Sequence, residues 1–214
     1  MKVITLIFMA SGFSRRMGEN KLIKSFAGKP LIQWCLEATK GLEELEGLRV
    51  ERLVVYQDDT VKELAENNGC KVVYNPNSHE GQSASIGLGI GHSQVDTDAY
   101  IFLTGDQPFI TMETLLGLIE AHGQAPKGII QPYYNGRKGA PVLFSAYYRE
   151  ELATLDGDQG GRQVIRRHPQ ALVRVDRPEL EGVDMDTQED FQYWEREFIA
   201  GRLDIRYNRK QEKY

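Results

Sequence analysis

At 214 residues, with 41% hydrophobic and 27% charged side chains, the chain is sized for one substantial core and has an ordinary soluble composition. Its net charge of -5 argues against a general nucleic-acid or anionic-membrane binder. No apolar run approaches the roughly 18 residues of a membrane helix, and residues 3–10, short and followed by arginines, do not predict a secretory signal.

In chain order, KVITLIF predicts a strand, and PLIQWCLEATKGL a helix with Pro30 in its first turn. ERLVVY reads as a strand, DTVKELAENNG as a helix closed by Gly69, and CKVVY as another strand. GQSASIGLGIGHSQV predicts a glycine-rich helix or loop-helix, DAYIFLTG a strand, and TMETLLGLIEAH a helix capped by Thr111. GIIQPYY and APVLFS follow as strands, then helices near AYYREELATL and GGRQVIRRH, the strand ALVRV, and a last helix over Gln188 to Ala200. Apolar strands alternating with helices predict an α/β fold: a three-layer, mostly parallel, Rossmann-like sheet with helices on both faces. Gly136 to Ser145 breaks the rhythm and predicts an antiparallel element. Residues 1–200 are expected to form a single domain, with 201–214 as a charged tail lacking helical periodicity. Cys35 and Cys70 lie in apolar elements without metal-type spacing and read as buried thiols of a reducing, cytoplasmic compartment. The four histidines show no metal spacing, and Trp34 and Trp194 read as core.

The charge is unevenly spread. Between Ser11 and Pro30 stand Arg15, Arg16, Lys21, Lys24 and Lys29 against the single acid Glu19. This loop leaves the first strand at its carboxyl end, where open α/β sheets bind ligands. Gly12 and Gly18 permit a tight turn with free N–H groups, and the cations supply charge-assisted bonds, so a phosphate-bearing ligand is expected. The competing view is a solvated basic loop. Neither the Walker A spacing nor the dinucleotide fingerprint is present.

Two acidic elements bear on metal chemistry. In TGDQP, Asp106 follows a buried strand at the same sheet edge, with Thr111 better placed to cap the next helix. In GVDMDTQED, Asp184 and Asp186 share a face if extended, while Thr187 and Asp190 form a capping box that competes for their role. Magnesium favours a few carboxylates completed by phosphate oxygens.

MASGFSRRMGENKLIKSFAGKPLI resembles the signature of the nucleotidyltransferase superfamily that includes molybdenum cofactor guanylyl- and cytidylyltransferases, L-A-[AG]-G-x-S-x-R-M-G-x-x-K followed by G-K-P-L-[IL]. Ser14, Arg16, Met17, Gly18 and Lys21 fall on it in register, and GQSASIGLG, LTGDQPFI, GAPVLF, LDGDQGGR and DMDTQED extend the match, most closely to the cytidylyltransferase-like branch. Met9 and Ser11 depart from the pattern, as does the tail.

The resemblance implies a nucleotide-diphospho-sugar transferase type of fold, with nucleotide contacts from Ala10, Ser11, Gly12, Ser14, Arg15, Arg16, Lys21 and Ser83. It implies catalytic roles for Arg16, Lys21 and Asp106, and a magnesium ion on Asp106 and Asp186, with Asp184 as the second choice to Asp186. Asp158, Arg162 and Asp184 become candidates to bind the acceptor, against a plain turn with Asp158 as N-cap, and Arg137 and Lys138 stand near its phosphate, against a solvated hairpin. A side chain at Ser11 narrows the base pocket and favours CTP. The expected reaction moves CMP from CTP to the phosphate of molybdopterin and releases pyrophosphate; a molybdenum hydroxylase apoenzyme is a further expected partner. Alternatives are transfer to a sugar or polyol phosphate, a non-catalytic cofactor escort, and a glycosyltransferase, the last disfavoured by the triphosphate-type loop.

Overall fold

The structure, a computed structural model, describes residues 1–12 and 20–203. Its strands are β1 (Lys2–Ala10), β2 (Ser25–Phe26), β3 (Lys29–Pro30), β4 (Leu48–Tyr56), β5 (Lys71–Tyr74), β6 (Ala99–Leu103), β7 (Ile129–Tyr134), β8 (Arg137–Lys138), β9 (Val142–Ser145) and β10 (Leu172–Arg177). Its α-helices are α1 (Leu31–Ala38), α2 (Asp59–Asn67), α3 (Gln82–His92), α4 (Met112–Gln124), α5 (Arg149–Ala153), α6 (Arg162–Arg167) and α7 (Gln188–Ile199).

The main sheet runs β10-β7-β9-β6-β1-β4-β5, with β8 hydrogen-bonded to β7, while β2 and β3 make a separate hairpin. β1 lies inside it, parallel to β4 on one side and to β6 on the other. β9 runs antiparallel to both β6 and β7, which is the expected break in the rhythm. The remaining long strands all deliver their carboxyl ends to one edge.

Central strands covered on both faces must be apolar at successive positions. On β1, Ile4, Leu6, Phe8 and Ala10 face the core under α1, α2 and α4, and Ile7 faces the core under α3, α5 and α6. β6 divides likewise, Ala99, Ile101 and Leu103 against Tyr100 and Phe102. Burying each such side chain contributes on the order of 1.5–3 kcal/mol. Thr5 is the polar exception, and its buried hydroxyl shares a hydrogen bond with Thr97 at 2.8 Å.

One helix is shorter than its pattern predicts. α1 ends at Ala38, because Thr39 closes it by donating to the Leu36 carbonyl at 2.8 Å and Gly41 then turns the chain at φ 87°. The expected caps form: Thr111 accepts from the Thr114 amide, and Thr187 and Asp190 make a reciprocal capping box.

A third apolar cluster positions the site. Phe26, Leu31, Trp34, Phe109, Met185 and Phe191 pack together, with Trp194 and Phe198 of α7 against them. Met185 lies between Asp184 and Asp186, and Phe109 lies just past Asp106, so this aromatic packing holds both acidic segments at one edge of the sheet. Cys35 supports the same place from below: burial holds its thiol well above its ordinary pKa, and the protonated Sγ donates to the Gln107 carbonyl at 3.1 Å. No described helix is long and apolar enough to cross a membrane.

Candidate active site

Asp106 follows β6 through Gly105, whose φ of 78° is a turn that side-chain-bearing residues rarely adopt. The Thr104 hydroxyl donates to one carboxylate oxygen, leaving the other to face inward. Segment 184–186 docks on this turn through the Met185 amide, which donates to the Asp106 carbonyl at 3.0 Å. Asp190 then accepts from the amides of Asp186 (3.0 Å) and Thr187 (2.7 Å), so the start of α7 orients Asp186. The capping reading of this element is realised by Thr187 and Asp190, and the Asp186 carboxylate is left to meet Lys21.

Lys21 closes the arrangement. Its Nζ donates to Asp106 Oδ2 at 2.6 Å and to Asp186 Oδ1 at 2.7 Å, joining residues 85 and 165 positions apart. Burial alone would lower the Lys21 pKa, but the two carboxylates more than offset it and hold it above its ordinary value. Asp184, open to the cavity beside them, is pushed up to about 6 by desolvation and then by the charges of Asp106 and Asp186, against Lys21 and a hydrogen bond from Gln107.

A carboxylate raised above its ordinary 3.8 costs stability once ionised, so this cost is small near pH 4 and complete above about pH 6. In chelator-treated protein, Asp184→Asn is expected to stabilise by about 1 kcal/mol at pH 7.5, after solvent screening, and by much less at pH 4.5. Urea unfolding at the two pH values measures this. A gain independent of pH would remove the assigned crowding of charge.

A cavity of about 620 Å³ opens beside the acids, with Asp106, Asp184 and Asp186 at one side and Met9, Ile86, Phe102 and Phe144 among its apolar walls. Lys138, Arg162 and Arg166 also line it. Among the described residues no group of three His, Cys, Asp or Glu side chains is disposed to cage a metal. Two carboxylates converging on one ammonium are, however, the hard donor set that magnesium takes when phosphate oxygens complete its shell. They fit a cation that arrives with a phosphate ligand.

The first loop is anchored on the other side of α3. Asn75, fully buried after β5, donates from Nδ2 to Ser11 Oγ at 3.0 Å and to Ser85 Oγ at 3.2 Å, and the two hydroxyls share a hydrogen bond of 2.7 Å. The Ser11 hydroxyl is thus spent inward. Asn75 itself accepts from the Asn77 amide at 2.9 Å and donates its own to the Tyr56 carbonyl at 2.7 Å, so its orientation is dictated from both ends.

Other expected site residues fall in different places. Ala10 packs its side chain into the core, and Gly12 opens to solvent with free space around its Cα. Ser83 is buried, its hydroxyl without a partner, and its amide donates to the Gly157 carbonyl at 3.3 Å. Asp158 is set apart from the acids: it lies over Gly81, where a Cβ would come within 2.0 Å of its carboxylate, and it does not line the cavity. Ser14, Arg15 and Arg16 lie outside the described residues, as does the tail from residue 204. The described histidines bond elsewhere, His168 to Glu151 and His122 to the Pro126 carbonyl. Thr104, Asn75 and Arg166 were not singled out from sequence; only the LTGD context of Thr104 offered a signal.

The family model of the MobA-like NTP transferase domain matches residues 6–172. A probable molybdenum cofactor guanylyltransferase of Natranaerobius thermophilus is 26% identical over 146 residues, 68% of this chain and 67% of that protein. The purine catabolism protein PucB of Bacillus subtilis is 25% identical over 199 residues, 86% of this chain and 92% of that protein. In structure, a Mycobacterium tuberculosis rv0371c homolog from Mycobacterium sp. strain JC1 superimposes with a TM-score of 0.77 at 22% identity, over 92% of this chain and 97% of that one.

Proposed function

Because the chain belongs to the MobA-like NTP transferase family, and is therefore a nucleotidyltransferase, we propose that it transfers CMP from CTP to the phosphate of molybdopterin. A phosphate oxygen of the acceptor attacks the α-phosphorus, the bond from that phosphorus to the oxygen bridging towards the β-phosphorus breaks, and pyrophosphate leaves with the bonding electrons. A phosphomonoester is already largely ionised near neutral pH, its second pKa being about 6, so no strong general base is needed. The catalytic unit is residues 1–200, with 201–214 as an appended tail.

The observation that carries this reading is the convergence of Lys21 from the first loop with Asp106 and Asp186 at the mouth of one cavity. Lys21, with Arg16 assigned by its place in the motif, neutralises charge growing on the departing pyrophosphate. Ser14 shares the phosphate loop on the same ground, and Arg15, at a variable position of the motif, adds charge beside it. Asp106 and Asp186 are the residues that would hold magnesium, which when bound withdraws charge from phosphate oxygens. Positioning and charge compensation then account for the rate. Delivery of the product to a molybdenum hydroxylase apoenzyme fits a reaction of this kind.

Cytosine is assigned from volume: Ser11 fills space where the motif carries alanine or glycine. The guanylyltransferase named among the relatives favours GTP as the second reading. Melting the protein with each of the four triphosphates, with and without magnesium, separates the two. CTP at 100 times its Kd is expected to stabilise by about 2.7 kcal/mol, with magnesium required for the full effect. Larger stabilisation by GTP transfers the assignment to guanine. Pyrophosphate release with molybdopterin as acceptor tests the transfer itself, and release only with a sugar or polyol phosphate would replace the acceptor. Nucleotide binding with no release from any acceptor would leave an escort in place of an enzyme.

A further inference from the structure

The cavity has a cationic side as well as an acidic one. Arg162, Ile165 and Arg166 all line it from α6 and recur at the spacing of a single helical face. The rest of that helix is otherwise engaged: Val164 is buried in the core, and Arg167 and the following His168 pair with Glu151 at 3.5 and 2.7 Å. Lys138 lines the same cavity from β8. It is held in register by its pairing with Tyr133, and next to it Tyr134 packs against the backbone at Gly139 and Gly182 and donates to the Ala140 carbonyl at 2.8 Å. The hairpin is thereby pinned beside the segment that carries Asp184.

Among the described residues, none of Lys138, Arg162 and Arg166 pairs with a carboxylate; Arg166 donates to the neutral amide of Gln159. Asp106, Asp184 and Asp186 line the same cavity, yet none of them pairs with these three cations among the described residues. Cations not paired within the chain are open to charge-assisted bonds from an anion that enters from outside. Phe102, Phe144 and Ile86 give the same cavity apolar lining.

We propose that Arg166 and Lys138, together with Arg162, form the anion site of the acceptor, and that the acceptor it selects is a phosphomonoester on an apolar body. The proposal rests on the nucleotidyl-transfer reading, to which it adds the residues that receive the attacking phosphate. The cations hold its outer oxygens on one side of the cavity, and Lys21 serves the triphosphate on the other. Gln159 parks the Arg166 side chain by a neutral bond that a phosphate outcompetes.

Binding of 1-naphthyl phosphate and of 1-naphthol, followed by calorimetry, tests this in the wild type, Arg166→Met, Arg166→Lys, Lys138→Met and Arg167→Met, with a melting curve for each. The wild type is expected to bind the phosphate at least about tenfold more tightly than the alcohol. Arg166→Met and Lys138→Met should each lose about tenfold for the phosphate and little for the alcohol, Arg166→Lys should recover part, and Arg167→Met should match the wild type. A wild type without preference, or an Arg166→Met variant that binds the phosphate normally, overturns the site. Pyrophosphate release by the wild type is measured in parallel. Its absence with every acceptor defeats nucleotidyl transfer, whereas normal release combined with unaltered phosphate binding in Arg166→Met defeats this anion site alone.

Discussion

Replacing Asp106 by asparagine is expected to lower turnover about a thousandfold while the fold survives. The amide preserves the volume and an oxygen for the Thr104 hydroxyl, and the Asp106 carbonyl still accepts from the Met185 amide. Only the charge is lost, and with it a donor for a cation shared with phosphate. Lys21 keeps Asp186 as a partner. Asp184 should respond too: Asp106 is the largest charge raising its pKa, so in Asp106→Asn that carboxyl should titrate nearer its ordinary range. Pyrophosphate release against magnesium concentration, with a melting curve, measures the first effect, and a pH titration followed by NMR measures the second. Turnover within about tenfold of the wild type would strip Asp106 of the metal role, since electrostatic groups at a phosphoryl centre contribute more than that.

Lys21→Met should damage two properties at once. Affinity for a nucleoside triphosphate is expected to fall about 10- to 100-fold, the range for one charge-assisted bond to phosphate, with a much smaller loss for the monophosphate. Equal losses for both would detach Lys21 from the β- and γ-phosphates. The unliganded protein is also expected to lose about 2 kcal/mol near neutral pH, because Asp106 and Asp186 then face each other with the counter-charge gone. The sign follows from the raised Lys21 pKa: the ammonium contributes its full stability below its ordinary 10.5 and loses it as the pH rises further, so the whole deficit is present at pH 7. On the proposed reaction, binding that drew Lys21 onto phosphate would leave Asp106 and Asp186 open to a divalent cation.

Elements governed by neighbours in sequence were legible from the residues. The apolar runs of β1 and β6 signal burial on both faces, and the caps at Thr111 and at Thr187 with Asp190 span no more than three residues. The motif series was equally readable as a resemblance, and it pointed to Lys21, Asp106 and Asp186 together. Boundaries were less so: the helical period of α1 continues to Leu42, but the Thr39 hydroxyl and the turn at Gly41 stop the helix at Ala38.

Which distant residues meet was not legible. Asn75 reads as a loop residue after a short strand, yet the pairing of β4 with β1 and of β5 with β4 delivers it to Ser11, 64 positions away. Asp158 belongs to a motif beside Arg162, yet the turn at Gly81 receives it away from the cavity that Arg162 lines. Arg166 and Arg167 are indistinguishable as neighbours in the chain until α6 docks by Val164 and turns one to the cavity and the other to Glu151.

By itself, then, the amino-acid order determined the class of fold, the local caps and the chemical types available at the sheet edge, because periodicity and short-range hydrogen bonds act over a few residues. Tertiary structure alone decided the ion pairs of Lys21, the inward use of the Ser11 hydroxyl and the cationic wall of the cavity. Those depend on the spatial order of strands and the docking of α6 and α7, which arise from packing between segments distant in the chain, up to 165 residues apart for Lys21 and Asp186.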